Sequence, residues 1–359
     1  MMPFTYNGLP SRVIFGQGTL ARVAEEVQAL GCQRVLVLST PQQEGQARQV
    51  LDQLGELGAD VFAGARMHTP VETTEEAMRV LSSLGADGVV AIGGGSTIGL
   101  GKAIALRADL PQVVIPTTYA GSEMTPILGE TKNGLKTTQR TLKVLPETVI
   151  YDVDLTLGLP VAMSGTSGIN AIAHAVEALY AKDRNPIVSM MAEEGIAALA
   201  RSLPIIAGAP ADATARSDAL YGAWLCGACL GSVGMSLHHK LCHTLGGSFD
   251  LPHAETHTIV LPHAVAYNAE AAPEAMARIA RALGADDAAG GLYDLAKAVG
   301  APLALRDIGL NEGDIDRATE IATGNPYWNP REIEAQGIHR LLSDAHAGRR
   351  PETLEATDR

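Results

Sequence analysis

Histidines are concentrated in one part of the chain, at spacings that can assemble a polar site. Ten histidines occur in 359 residues, and six of them fall within residues 238–263. Side chains four residues apart on a helix share one face. Two such pairs and one further histidine form the constellation: Asn170 with His174, His239 with His243, and His253. Imidazoles at this spacing are typical of a transition-metal site, and protonatable imidazoles are equally good partners for a carboxylate substrate.

The residue at position 170 leaves both chemistries open. Asn170 is neutral and offers a single amide oxygen, which makes it a poorer metal ligand than an aspartate. Three neutral imidazoles can still bind zinc without a carboxylate. The residue types alone therefore predict a shared polar site without deciding whether that site holds a metal ion.

A run of glycines separates a buried-strand pattern from a predicted helix. Residues 88–92 form the apolar run and residues 97–107 the helix, and between them lie Gly93, Gly94, Gly95 and Ser96. Glycines bring bare backbone N–H groups to a helix N-terminus, where a pyrophosphate can dock. The run is not the G-x-G-x-x-G dinucleotide fingerprint, because Ile98 stands where the last glycine would be.

A second polar cluster follows the next predicted strand along the chain. Residues 116–125 are rich in hydroxyl side chains, and the candidate ligand contacts among them are Thr117, Thr118 and Ser122. In open α/β sheets, ligands bind outside the carboxyl ends of the strands. Two strand ends that both carry glycine and hydroxyl residues therefore predict a phosphate site.

Strand-like and helical segments alternate through the first 155 residues. The apolar runs predicted as strands are residues 34–40, 60–65, 88–92 and 112–118. Such alternation indicates βαβ units, with a parallel sheet and helices on both of its faces. After residue 155 helical periodicity dominates. The sequence therefore predicts a Rossmann-like α/β dinucleotide-binding domain over residues 1–155 and an all-α domain, carrying the substrate and catalytic site, over residues 156–359.

Composition and charge exclude several classes of function. The chain carries 27 Lys and Arg against 40 Asp and Glu, a net charge of −13. An acidic chain without basic runs predicts no nucleic-acid partner and no anionic membrane surface. The N-terminal residues lack the pattern of a signal peptide, and no run approaches the roughly 18 apolar residues of a membrane span. We therefore expect a cytoplasmic protein.

The four cysteines are too few for a disulfide framework in a chain of this size. Cys226 and Cys229 have the spacing of a redox or metal motif, but they lie in an apolar helical run with no second pair. We predict that both are buried structural cysteines.

Together these motifs resemble the iron-containing alcohol dehydrogenase superfamily and, within it, the maleylacetate reductase branch. The resemblance covers nearly the whole chain. Its segments are residues 67–72, 93–96, 116–128, 167–180, 223–229, 237–247 and 252–257. The resemblance implies an α/β nucleotide-binding domain followed by a helical domain, and a homodimer.

The resemblance also implies a ligand set, which this sequence alters. The metal-dependent members bind their ion through one aspartate and three histidines. By position these ligands fall on Asn170, His174, His239 and His253, and His243 matches an additional active-site histidine. The asparagine at 170 agrees with the maleylacetate reductase branch, which is understood to work without metal. We therefore expect no metal cofactor.

The implied reaction is the reduction of the carbon–carbon double bond of maleylacetate, a dicarboxylate, to 3-oxoadipate in the bacterial degradation of aromatic compounds. The conjugated enolate that forms is less basic than an alkoxide, so hydrogen-bond donors can stabilise it. We expect His243 or His253 to donate the proton, and His174 and His239 to bind and orient the substrate. Candidate partners for the carboxylates are Asn170, Lys240 and Tyr327.

The implied cofactor is NADH or NADPH, held by the glycine run and the hydroxyl cluster. The resemblance adds Lys143, which matches a cofactor-contacting lysine of the superfamily. Ser39 and Thr40 end the first predicted strand, where the adenosine ribose is read. Because no aspartate stands there, we expect NADH use with tolerance of NADPH.

Three other functions remain open from the sequence. One is a metal-dependent alcohol dehydrogenase that acts on a small alcohol or aldehyde, against which Asn170 argues. Another is a nucleotide-binding relative that has lost its chemistry, against which the retained histidines argue. A third, more distant, is a related lyase or synthase that uses the cofactor.

Overall fold

Apolar runs of valine, leucine and isoleucine form the sheet of the N-terminal half. The structure is a computed structural model and describes residues 3–325 and 327–351. Its strands are β1 (Arg12–Gly16), β2 (Val35–Leu38), β3 (Gly58–Phe62), β4 (Gly88–Gly93), β5 (Gln112–Pro116), β6 (Ile127–Lys132), β7 (Leu135–Arg140) and β8 (Thr148–Asp152). Six of them form a parallel sheet in the order β1-β8-β5-β4-β2-β3, and β6 and β7 form a separate antiparallel hairpin.

Helices cover both faces of the parallel sheet. Successive side chains along a strand point to opposite faces, so each strand contributes side chains to two cores. These helices are α1 (Val23–Ala29), α2 (Glu44–Leu54), α3 (Val71–Leu84) and α4 (Gly95–Ala108). On one face Val90 belongs to a core that includes residues of α1 and α2. On the other face Ala91 belongs to a core that includes residues of α3 and α4. The predicted α/β fold is confirmed.

Helices make up the regular structure of the second half of the chain, as its periodicity predicts. They are α5 (Val161–Leu179), α6 (Pro186–Gly208), α7 (Ala213–Ser232), α8 (Leu237–Phe249), α9 (His253–Asn268), α10 (Pro273–Leu283), α11 (Ala288–Ala298), α12 (Ile315–Thr323) and α13 (Ala335–Ala347). Helices α8, α9, α12 and α13 share a core that contains Leu241, Val260 and Leu342.

The chain divides into two compact units after Leu159. The first unit begins at Gly8 and contains the parallel sheet and the hairpin. The second begins at Pro160 and contains the helices α5–α13. Two details differ from the expected division after residue 155. Residues 156–159 lie with the first unit, and the described residues before Gly8 lie with the second.

Among the described residues, no single helix is both long enough and apolar enough to cross a membrane. Helices α7 and α8 meet the requirement only when they are taken as a pair, and a bend of 95° separates them.

Helices α6 and α7 approach each other through two glycines. A Cβ placed on Gly222 would lie 2.8 Å from Leu199 Cγ and 3.0 Å from the carbonyl oxygen of Gly195. A Cβ on Gly195 would lie 2.8 Å from Cys226 Sγ. The two backbones are therefore too close for a larger residue at either position.

We predict that Gly222→Ala lowers the stability of the protein by about 1–3 kcal/mol, because the added methyl group overlaps the backbone of α6. The midpoint of thermal unfolding measures this loss. Gly45→Ala is the matched control: Gly45 lies in α2 with no atom within 4 Å of an added Cβ, so its midpoint should stay the same or rise slightly. Equal midpoints for the two variants would contradict the close approach.

Candidate functional site

The glycine run and the hydroxyl cluster meet at the carboxyl edge of the parallel sheet. Gly93 at the end of β4 pairs in register with Pro116 at the end of β5. The residues that follow each strand are therefore neighbours. Helix α4 begins at Gly95, and Gly94 at its N-cap supplies no side chain to cap it. The N-terminal N–H groups of α4 are accordingly available to bind an anion.

Close packing explains two of the glycines, and open space surrounds the third. Gly93 has a φ of +150°, and a Cβ there would lie 2.6 Å from Thr97 Oγ1. A Cβ on Gly94 would lie 3.1 Å from the Thr118 side chain. Nothing lies within 4 Å of a Cβ built on Gly95. At the start of α4, Gly94 therefore packs closely against Thr118, whereas the space at Gly95 is open. This combination fits a pyrophosphate.

Polar side chains near these strand ends provide further contacts. Ser39 Oγ and Thr97 Oγ1 are buried, and neither has a hydrogen-bond partner among the described residues. Thr117 Oγ1 accepts a hydrogen bond from Gln43 Nε2 at 2.9 Å. Gln43 follows β2 and was not predicted from the sequence. Ser122 lies in the same β5–β6 connection as Thr117 and Thr118, and its backbone carbonyl is held by Lys102.

Lys143 lies beside the C-terminal end of α4, the end opposite the glycine run. Its Nζ is 3.0 Å from Oδ1 of Asp109, the residue that caps the C-terminus of α4, and both side chains are exposed. The glycines lie at the other end of this 14-residue helix, a distance of about 20 Å along its axis. A cofactor contact would require Lys143 to leave this ion pair, although an exposed pair of this kind is weak.

Three helices of the second unit bring the predicted histidines together. Ring centroids lie 5.2 Å apart for His174 on α5 and His239 on α8, and 6.1 Å apart for His239 and His243. His253 on α9 reaches the group through His257, whose ring lies 4.3 Å from His253 and 5.1 Å from His239. The rings of His174 and His239 are buried, whereas His243 and His253 are exposed.

A carboxylate that the sequence analysis missed holds this histidine cluster in place. Glu177 is one turn after His174 on α5 and is fully buried. It accepts hydrogen bonds from the backbone N–H of Ser236 at 2.9 Å, from the Ser236 hydroxyl at 3.0 Å, from the backbone N–H of His238 at 2.7 Å and from His239 Nδ1 at 2.8 Å.

These contacts determine the ionisation of Glu177 and the proton position on His239. Burial alone would raise the pKa of Glu177, but the hydrogen bond and charge of His239 outweigh burial and lower this pKa to about 2. Glu177 is therefore a carboxylate at neutral pH. It can only accept, so Nδ1 of His239 carries a proton and Nε2 is directed elsewhere.

Several polar atoms of the histidine cluster are buried without a hydrogen-bond partner among the described residues. Within the described part of the chain, Nε2 of His239, Nδ1 of His174, Oδ1 of Asn170 and Nε2 of His257 are buried and make no hydrogen bond. Buried polar atoms nearly always have a partner in a folded protein. A group of unpartnered atoms on adjacent rings therefore indicates a site for a polar ligand.

Most of the buried imidazoles are neutral. Burial, together with the neighbouring imidazoles, lowers the pKa of His174 and of His257 well below the ordinary value. The same causes lower the pKa of His238 to about 3. A neutral imidazole has one donor and one acceptor nitrogen, so these rings can both donate to and accept from a ligand.

A second group beside the cluster satisfies the distances for a metal ion. Among the described residues, donor atoms of His238, Cys242 and His257 lie within 4.8 Å of one another. However, His238 Nε2 and His257 Nδ1 share a hydrogen bond at 3.0 Å. Burial also raises the pKa of the Cys242 thiol well above its ordinary value, whereas a metal binds the thiolate. The chemistry fits a buried hydrogen-bonded group better than a metal centre.

Lys240 and Tyr327 lie against each other. Lys240 Nζ is 5.8 Å from the centroid of the Tyr327 ring, and the Tyr327 hydroxyl is buried with no partner among the described residues. Lys240 directly follows His239 on α8, so it projects from a neighbouring face of that helix. The two predicted carboxylate partners thus form a pair of their own, and their contact with substrate stays a prediction.

Cys226 and Cys229 are buried free thiols on α7, as predicted. Burial raises the pKa of both thiols above the ordinary value. Thiols in this state are unreactive, which excludes a redox role for the pair.

Comparison with known proteins agrees with the fold. The model of the iron-containing alcohol dehydrogenase family matches residues 10–153, and the model of the C-terminal domain of the Fe-containing alcohol dehydrogenase family matches residues 164–346. The chain belongs to the iron-containing alcohol dehydrogenase family. It is accordingly an oxidoreductase by family.

Individual relatives of this dehydrogenase family match over their full length. A maleylacetate reductase of Rhizobium sp. strain MTP-10005 is 58% identical over 352 residues, which cover 98% of this chain and all of the relative. A maleylacetate reductase of Sphingobium indicum has the same identity and coverage. The crystal structure of maleylacetate reductase from Agrobacterium tumefaciens is 60% identical, with a TM-score of 0.95, and covers 98% of this chain and all of that chain.

The residues at the family's metal position do not fit a metal centre of one aspartate and three histidines. The position of the aspartate holds Asn170, whose amide is neutral. The buried carboxylate of the cluster, Glu177, already accepts four hydrogen bonds. The remaining donors at these positions are imidazoles, one of which, His253, is exposed. None of Asn170, His174, His239 and His253 offers the hard anionic oxygen ligand that the family's aspartate would give a divalent iron ion.

We predict that Glu177→Gln destabilises the protein at pH 7 by about 3 kcal/mol, because an amide cannot accept all the donors that the carboxylate accepts. The pKa of Glu177 is lowered from 4.5 in the unfolded chain to about 2 in the folded protein. The stability that the Glu177 carboxylate contributes to the wild type is therefore complete above pH 4.5 and declines as the pH falls toward 2. Urea midpoints of both proteins between pH 7 and about pH 3 measure this difference, and a difference independent of pH would contradict the assignment.

Proposed function

We propose that this protein is a maleylacetate reductase that uses NADH, tolerates NADPH and works without a metal ion. The observation that carries the proposal is the group of unpartnered buried atoms on Asn170, His174 and His239, in which an amide replaces the family's aspartate. The full-length likeness to maleylacetate reductases supports the choice of substrate. The substrate is then a small dicarboxylate with a carbon–carbon double bond conjugated to a carbonyl group.

The glycine run and the hydroxyl cluster would hold the cofactor. Backbone N–H groups at the start of α4 suit the pyrophosphate, with Gly93, Gly94, Gly95 and Ser96 in the approach and hydroxyls from Thr117, Thr118 and Ser122 beside it. Ser39, at the end of β2, suits the adenosine ribose. Because neither Ser39 nor Thr40 is acidic, nothing there repels the 2′-phosphate of NADPH. The chemistry that bound NADH supplies is a hydride.

His239 is the residue best equipped to stabilise the enolate. Glu177 fixes its Nδ1 proton and its ring orientation, and it stabilises positive charge on the imidazole. Nε2, which has no partner among the described residues, can then donate to the enolate oxygen of the substrate. His174 and Asn170 would orient the substrate through their own unpartnered atoms. A conjugated enolate requires no Lewis acid when such donors are in place.

His243 and His253 are suited to deliver the proton. Both are exposed, so either imidazole can regain its proton from water after each turnover. Both belong to the cluster, through His239 and His257 respectively. One of them donates a proton to the carbon next to the one that receives the hydride. Lys240 and Tyr327 would bind a carboxylate of the substrate.

We predict that purified protein of known metal content oxidises NADH in the presence of freshly prepared maleylacetate, and that the rate survives EDTA. The loss of NADH absorbance measures this activity, with the same protein without maleylacetate as the control. EDTA-sensitive oxidation of a simple alcohol, without turnover of maleylacetate, would establish a metal-dependent alcohol dehydrogenase instead. Binding of NADH with no turnover of either substrate would establish a non-catalytic relative.

We predict that replacing the proton donor lowers kcat by about 100-fold, whereas replacing the other exposed histidine of the cluster has a much smaller effect. His243→Ala and His253→Ala test the two residues, and a solvent isotope effect on kcat should change only in the donor variant. His339→Ala, at an exposed histidine on α13, is the matched control and should leave kcat unchanged. Unchanged turnover in both cluster variants would remove both residues as proton donors.

A further inference from the structure

One lysine of the first unit is completely buried, although the proposed reaction requires no lysine there. Lys102 lies on α4, about two turns after its start at Gly95, and has no exposed surface. Its Nζ donates to the carbonyl oxygens of Ser122, Thr125 and Ile127 at 2.5, 2.7 and 2.9 Å, and it lies 2.9 Å from Thr125 Oγ1. All four oxygens belong to residues 122–127.

Three of these oxygens place Lys102 beneath the β5–β6 connection, residues 117–126, and the fourth belongs to Ile127 at the start of β6. The same connection carries the hydroxyls of Thr117, Thr118 and Ser122. Burying an amine among apolar residues is unfavourable unless hydrogen bonds replace its water. Burial lowers the pKa of Lys102 to about 7, and the nearby Glu123 opposes this effect. Four acceptors in one short segment supply the replacement, so the segment and the lysine fix each other.

A second buried interaction also holds the connection. Glu123 is fully buried, and its Oε1 accepts a hydrogen bond from the Tyr151 hydroxyl at 2.8 Å. Tyr151 lies on β8 and Lys102 on α4. The connection is therefore attached to a helix by one buried residue and to the sheet by another.

The position of this connection matters because it packs directly on the glycine run. The Thr118 side chain would lie 3.1 Å from a Cβ on Gly94, so the connection and the start of α4 are in van der Waals contact. A shift of the connection by a fraction of an ångström would change where its hydroxyls point. Such a shift would alter the groups that surround a phosphate at the N-terminus of α4.

We propose that Lys102 is a positioning residue for the nucleotide: it holds the β5–β6 connection against α4, so that Thr117, Thr118 and Ser122 face the phosphates. Lys102 acts through the connection and does not itself touch the cofactor. This inference rests on the proposed nucleotide site. It identifies a residue that nucleotide affinity requires and that lies outside both the glycine run and the hydroxyl cluster.

The test is the dissociation constant of NADH, measured by calorimetry on the full-length protein. Lys102→Met removes every hydrogen bond that Lys102 donates and should raise this constant about ten-fold, equivalent to about 1.4 kcal/mol. At saturating NADH, the KM for maleylacetate should change by less than about two-fold. A merely destabilising substitution would not separate the two constants in this way.

Glu26→Gln is the matched control for loss of a buried charge in the same unit. Glu26 is buried on α1 and pairs with Arg12 at 2.8 Å and Arg22 at 3.0 Å, so its replacement weakens ion pairs without touching the connection. This variant should have a lower unfolding midpoint and an unchanged affinity for NADH. A loss of affinity equal to that of Lys102→Met would overturn the positioning role.

A milder variant keeps the test decisive if Lys102→Met does not fold. Thr125→Val removes one acceptor of Lys102 and the hydroxyl that donates to the Ser122 carbonyl, with little change in shape. It should weaken NADH binding about three-fold. Affinities within about 1.5-fold of wild type in every Lys102 and Thr125 variant that folds would overturn the inference. Wild-type protein that binds no NADH would instead refute the nucleotide site itself, and the inference with it.

Discussion

The histidine cluster depends on one buried carboxylate. Glu177 comes from α5, whereas its donors come from Ser236, His238 and His239 around the start of α8. A carboxylate without access to water is tolerated only when hydrogen bonds and positive charge replace its hydration. The N-terminus of a helix supplies both, through free N–H groups and its dipole. The same contacts therefore set the approach of α8 to α5 and the orientation of the His239 ring.

Much of the architecture could be predicted because local periodicity determines it. Alternating apolar runs and helical segments indicate a parallel sheet, and a parallel sheet aligns the carboxyl ends of its strands at one edge. The pairing of Gly93 with Pro116 follows from this rule. The four-residue spacing of Asn170 and His174 likewise places them on one face of α5 wherever the helix packs. These features need no knowledge of distant partners.

The residues that sequence reasoning missed are those whose partners lie far along the chain. Glu177 and Lys102 are charged residues in helical sequence, a pattern typical of a solvated surface. Their burial is explained only by the start of α8, 59 residues after Glu177, and by the β5–β6 connection. Strand β1 was missed because it pairs with β8, more than 130 residues away. The β6–β7 hairpin was missed for a different reason: its two strands are adjacent in the chain, but β7 is mostly polar and lacks an apolar run.

The replacement of aspartate by Asn170 changes more than the number of metal ligands. The cluster already contains one buried carboxylate, Glu177, whose hydration is replaced by hydrogen bonds from Ser236, His238 and His239. A second carboxylate at 170, one turn from His174, would face the ligand site with a negative charge that a dicarboxylate substrate would meet at close range, where repulsion is strong. A bound cation could neutralise that charge. An amide avoids the repulsion without a cation and can also donate to the substrate. In the proposed function, the missing metal ligand and the acceptance of an anionic substrate are therefore two consequences of the same residue.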